Sequence, residues 1–110
     1  NIIRESLMGG MSCGEPSLVP WEILKNSVDY CISLSDDNIG RAMKLFANAS
    51  FSNDKIVAGE NSAPGAISLI TCCNDEIIKK KINLSEISNV LLIGCEGDTD
   101  QDMYQKLIKD

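Results

Sequence analysis

The chain has 110 residues, 44% of them hydrophobic and 24% charged, which is enough for one hydrophobic core and too apolar for a disordered tail. A net charge of −6 disfavours binding to a phosphate backbone, and the absence of histidine rules out any Ser-His or Cys-His nucleophile scheme built from these residues alone. The five cysteines (Cys13, Cys31, Cys72, Cys73 and Cys95) lack C-x-x-C spacing, which argues against structural zinc, and their odd number fits a reducing cytoplasm better than a disulfide scaffold.

In chain order, "MGGMSCGEPS" opens the sequence with a glycine-rich loop. Residues 15–28 then carry Leu18, Trp21, Leu24 and Val28 at helical spacing, with Pro16 suited to a first turn. "YCISLS" (30–35) reads as a short buried strand. Ser35, Asp36 and Asp37 offer an N-cap and favourable charge to a second helix, whose stripe is Ile39, Ala42, Met43 and Phe46. "KIVAG" (55–59) reads as another strand, followed by the turn "ENSAPGA" and a helix over "AISLITCC". "DEIIKKKI" gives a further helix, with Lys79 to Lys81 as a solvated, dipole-favoured end. "NLSEISN" is a loop, and "VLLIG" (90–94) has the continuous apolarity of a parallel strand covered on both faces. Thr99 and Asp102 stand at capping-box spacing before a last helix, "DMYQKLI".

Strands alternating with helices predict an α/β fold: a three-layer, mostly parallel sheet flanked by helices, with residues 1–110 as one region. Three strands make a thin sheet, so the expectation is part of a larger one. The first residue, Asn1, is not an initiator, and the chain is expected to begin inside something longer or after processing. Its longest apolar runs are too short to span a bilayer, and a sheet cut from its parent would expose an apolar face and self-associate.

In such sheets ligands gather at the carboxyl ends of strands, and two stretches have suitable composition. "AGENSAPG" and "GCEGDTD" are both rich in small residues, and each carries one glutamate, Glu60 or Glu96. Ordinary strand-to-helix turns whose acids cap and solvate would look the same. The opening loop likewise reads either as tight packing around Cys13 or as the lining of a pocket.

Taken together, "MGGMSCGEPS", "WEILKNSVDY", "AGENSAPGA" and "VLLIGCEGDTD" resemble the C-terminal part of the diaminopropionate ammonia-lyases. These are pyridoxal-phosphate enzymes of the tryptophan synthase beta-like fold, fold type II. The family pattern is similar to M-A-G-L-x-C-G-E-P-S, W-E-I-L, S-G-E-S-G-A and S-T-E-G-D-T-D, in the same order over nearly the whole chain. The resemblance implies α,β-elimination of 2,3-diaminopropionate to pyruvate and ammonia, with pyridoxal 5'-phosphate as cofactor. The family's cofactor lysine and glycine-rich phosphate loop lie outside the matching stretches, so no catalytic residue and no activity are expected of this chain alone. On the same resemblance Gly59, Glu60, Gly94 and Cys95 would border the cofactor, and Cys13, Gly14 and Glu15 would line the approach. The family's ring-nitrogen serine falls on Gly94, leaving Cys95 as the candidate partner, while Asn61-Ser62 replaces the family's Ser-Gly. No metal, no nucleic acid and no membrane are expected, and the expected assembly is a cytoplasmic homodimer taking a small amino-acid substrate. A stand-alone α/β binding domain without catalysis is the alternative reading.

Overall fold

A computed structural model describes residues 5–109. Among them the regular structure is helical: α1 (Leu18–Leu24), α2 (Ile39–Ala47), α3 (Pro64–Asn74), α4 (Glu76–Lys81) and α5 (Gln101–Lys109). Short 3-10 turns occupy Gly9–Met11, Asp36–Asn38 and Glu60–Ser62.

The stripe predicted for α2 is the one that buries. Ile39, Ala42 and Met43 are at most 2% exposed and form the centre of the core with Met8, Ala63, Ala66, Ile67 and Tyr104. Phe46, Leu107 and Ile108 pack at its edge. Helices α2 and α5 approach closely at Gly40, where an added Cβ would sit 2.8 Å from the Leu107 carbonyl oxygen. The amino-terminal segment is tied to this core by Asp36, which accepts 2.7 Å bonds from Ser6 Oγ and the Leu7 N–H.

Helix ends are closed by local chemistry. After α2, the Ser50 N–H reaches the Leu45 carbonyl and the Ala49 N–H that of Phe46, a Schellman motif with Ala49 at φ 55°. Helix α4 ends the same way, Leu84 bonding to Lys79 and Asn83, also at φ 55°, to Lys80. Asp75 starts α4, its Oδ1 accepting from the Ile77 and Ile78 N–H groups at 2.9 Å. The lysines 79–81 fall in the last turn of α4, as the dipole argument expects. The cap of α5 is not the expected Thr99: Asp100 Oδ1 accepts from the Met103 N–H at 2.9 Å.

The expected three-layer, mostly parallel sheet is corrected by the structure. No strand is present among the described residues; segments 30–35, 55–59 and 90–94 belong to no regular element. A strand exists only through a ladder, and the bonds observed here run elsewhere. Ile56 donates to the carbonyl of Phe46 at the end of α2, and Gly59 makes a single bond to Glu96. The apolar run at 90–94 is not covered on both faces, and even Val90 and Leu92 are 47% and 39% exposed. Leu92 packs on Gly65 of α3, whereas Leu91 and Ile93 are 84% and 80% exposed. Helix α1 is shorter than residues 15–28, and its predicted stripe of Leu18, Trp21 and Leu24 is exposed.

The accessible surface is 8640 Å² for a 12.0 kDa chain, against about 6,000 Å² for a self-contained monomer of that mass. The radius of gyration is 15.1 Å, where about 13 Å is typical of a chain this long. Both reflect a small core carrying long, exposed connections. No helix among the described residues is long and apolar enough to cross a membrane.

Candidate functional site

The two stretches singled out at residues 58–65 and 94–100 meet in space. The meeting point is Glu96, every polar group of which is engaged. Its Oε2 accepts from the Asn61 N–H at 3.0 Å and from Asn61 Nδ2 at 2.6 Å, while Oε1 accepts from Thr99 Oγ1 at 3.1 Å. Its carbonyl accepts from the Gly59 N–H at 3.0 Å and from Ser62 Oγ at 2.7 Å, and its own N–H donates to Ser62 Oγ at 2.9 Å. Ser62 thus donates with its hydroxyl proton and accepts on a lone pair, so a single buried hydroxyl satisfies both backbone groups of Glu96.

Glycine makes this approach possible. At Gly59 a Cβ would collide with the carbonyl oxygen of Gly97 and lie 3.0 Å from Glu96 Cγ and Oε2. Gly59 itself has φ −74° and ψ −179°, an ordinary extended conformation, so the constraint is space and not backbone strain. Gly94 faces Ser62, whose Cβ and Oγ would be 3.2 Å from an added methyl group.

The Glu96 carboxyl is held below its ordinary value of 4.5. The Asn61 backbone N–H is the main cause, partial burial opposes it, and the Asn61 amide and Thr99 hydroxyl add to the lowering. Hydrogen-bond donors to the ionised form do this work. Because Asn61 points its amide nitrogen at a carboxylate, its Oδ1 faces the other way, and that oxygen is buried without a hydrogen-bond partner among the described residues. The Asn61 side chain lies over Gly10, whose added Cβ would be 3.0 Å from Nδ2. All three sequence stretches therefore contribute to one place.

The individual residues fare differently. Gly59 is buried and Glu60 half-buried, both in the turn that Glu96 secures. Gly94 and Cys95 are exposed and directly precede Glu96. In the opening loop it is Gly10, not Cys13, Gly14 or Glu15, that contacts the cluster. Those three are exposed, and the Cys13 thiol turns back 3.8 Å towards the Gly10 carbonyl. Asn61, Ser62 and Thr99 complete the cluster without having been named as site residues in the sequence. For Asn61 and Ser62 the signal was their replacement of Ser-Gly, which adds one side-chain amide and keeps a hydroxyl. No group of three metal-ligating side chains lies together among the described residues, and the five cysteines are free thiols.

A separate groove of about 470 Å³ runs between α2 and α3, lined by residues including Asn38, Arg41, Ile70, Thr71 and Asp75. It shares no lining residue with the Glu96 cluster.

No family model matches the chain, and no solved structure matches it. Among curated proteins it is similar to the diaminopropionate ammonia-lyase of Escherichia coli strain K12, 30% identical over 107 residues. That match covers 94% of this chain and 27% of the relative. The diaminopropionate ammonia-lyase of Salmonella typhimurium strain LT2 is 29% identical over the same length, 26% of that relative. The chain thus spans about a quarter of the length of the curated relatives it matches.

Proposed function

We propose that this chain is one wall of the cofactor pocket of a diaminopropionate ammonia-lyase-type enzyme, with the rest of the relatives' length supplying the remainder. The observation that carries the reading is the joining of residues 59–62 to residues 94–99 through Glu96, which sets Glu60 and Cys95 into one neighbourhood. The curated relatives support the activity class by name over 94% of the chain.

The residues suit one part of pyridoxal phosphate and not another. The exposed Gly94 and the exposed thiol at 95 fit the flat edge of a pyridine ring, which needs close backbone approach, while Gly59 packs the two loops together. Glu60, Glu96, Asp98 and Asp100 make the same place acidic, which suits no phosphate. In this reading the phosphate and the anchoring lysine belong to the other part of the polypeptide. Pyridoxal phosphate, when bound, supplies the electron sink for loss of an amino group from 2,3-diaminopropionate.

Gly59 and Gly94, which lie against Gly97 and Ser62, would hold the two loops close enough to present one edge to the ring. The Cys95 thiol, a weak donor, would face the ring nitrogen without transferring a full proton to it. Glu60, on the turn held by Glu96, would orient the cofactor or the substrate amine. Cys13, Gly14 and Glu15 would line the approach, and the assembly proposed is a homodimer.

The test is pyruvate release from 2,3-diaminopropionate by the longest polypeptide that contains this chain, with and without added pyridoxal phosphate. Cofactor-dependent pyruvate supports the reading; a cofactor-saturated protein that releases none refutes it. The groove between α2 and α3 favours a second reading, a small helical binding domain. Ligand protection mapping to Arg41 and Thr71 and not to Glu60 and Cys95 would identify that case.

A further inference from the structure

We propose that Glu96 is a positioning residue, a carboxylate latch that holds the 60–61 turn in place so that Glu60 and Cys95 keep a fixed spacing. This rests on the pocket reading above and adds to it a residue that touches neither cofactor nor substrate. The cluster divides into two sets of bonds that can be broken separately. The backbone of Glu96 holds Gly59 and Ser62 through three hydrogen bonds that no substitution at position 96 need remove. The side chain alone holds Asn61, through its backbone N–H and its Nδ2, and Thr99 through its hydroxyl. Glu60 lies between Gly59 and Asn61, and therefore between the two sets.

The carboxylate also sets the orientation of Asn61. A negative acceptor draws in the amide nitrogen and turns Oδ1 into the buried position beside Gly10, where it has no partner among the described residues. An unmet buried acceptor is tolerated only where stronger bonds oppose it, and charge-assisted bonds from Asn61 to Glu96 provide them. The groups bonded to the carboxylate come from both loops: Asn61 on one, Thr99 on its own.

The experiment uses the longest polypeptide containing this chain, as wild type, Glu96→Ala and Glu96→Gln. Amide exchange is read at Gly59 and Asn61, and pyridoxal-phosphate affinity is read by fluorescence titration. Alanine should speed exchange at Asn61 about tenfold or more, the equivalent of one or two lost hydrogen bonds, and leave Gly59 close to wild type. Cofactor affinity should fall about tenfold with it. Glutamine can accept from both Asn61 donors while its own amide donates to Thr99 Oγ1, so it should restore slow exchange and most of the affinity. Unchanged Asn61 exchange in Glu96→Ala overturns the latch. Faster exchange with unchanged affinity overturns the positioning role. Should the wild type take up no cofactor while Asn61 exchange still responds, the pocket reading fails and this role fails with it. Fold integrity is followed by the same exchange data in α2 and α5, which the latch does not touch.

Discussion

Replacing Gly59 with alanine adds one methyl group where the two loops are closest. That methyl would run into the Gly97 carbonyl oxygen and press on Glu96 Cγ and Oε2 at 3.0 Å. Backbone cannot yield as a flexible side-chain tip does, so loop 96–99 must move. Overpacking of this kind costs about 1–3 kcal/mol, and displacement puts at risk the Gly59 N–H bond, itself worth about 1 kcal/mol. Alanine is at ease at φ −74° and ψ −179°, and the smaller entropy of its unfolded chain returns about 0.4–1 kcal/mol. The net expectation is a loss of about 1–3 kcal/mol, or very roughly 5–20 °C in Tm for a domain of this size. Urea unfolding followed by circular dichroism measures it, with Gly9→Ala as control because nothing lies within 4 Å of a Cβ there. A Gly59→Ala protein as stable as the control would refute the close approach of the loops.

Ala49→Gly relieves a left-handed residue at the end of α2 and should stabilise the chain by about 1 kcal/mol, read as a higher urea midpoint. Asp75→Ala removes the acceptor of two N–H groups at the start of α4 and should cost about 1 kcal/mol and some helical ellipticity. Because the Glu96 carboxyl lies below 4.5 when folded, the stability it adds is complete above the unfolded carboxylate value and is lost as pH falls through the lowered folded one. Thermal unfolding of wild type should therefore weaken more steeply below about pH 4.3 than that of Glu96→Gln, and parallel curves would contradict the assignment.

The helices were legible because their determinants are local. The stripe of α2, the body of α3 and the basic end of α4 each need only neighbours within a few turns, although α3 begins at Pro64, inside the expected turn. The strands were not, because pairing partners are not written in a short apolar run. "VLLIG" carries the same residues whether both faces are covered or, as here, Leu92 packs on α3 while Leu91 and Ile93 face outward. Helix α1 forms inside its predicted span, but its apolar stripe stays exposed because nothing among the described residues packs on it. At the site, composition pointed to the two loops without showing that Glu96 joins them. A glutamate in a glycine-rich turn reads as solvated, and only the fold brings Asn61 across 35 residues to satisfy it.

The most direct measurement is an amide-resolved NMR titration of the longest polypeptide containing this chain with pyridoxal phosphate. The account predicts saturable shifts centred on Gly59, Glu60, Asn61, Cys95 and Glu96. Shifts confined to surface lysines, or to Arg41 and Thr71 in the groove between α2 and α3, would contradict it.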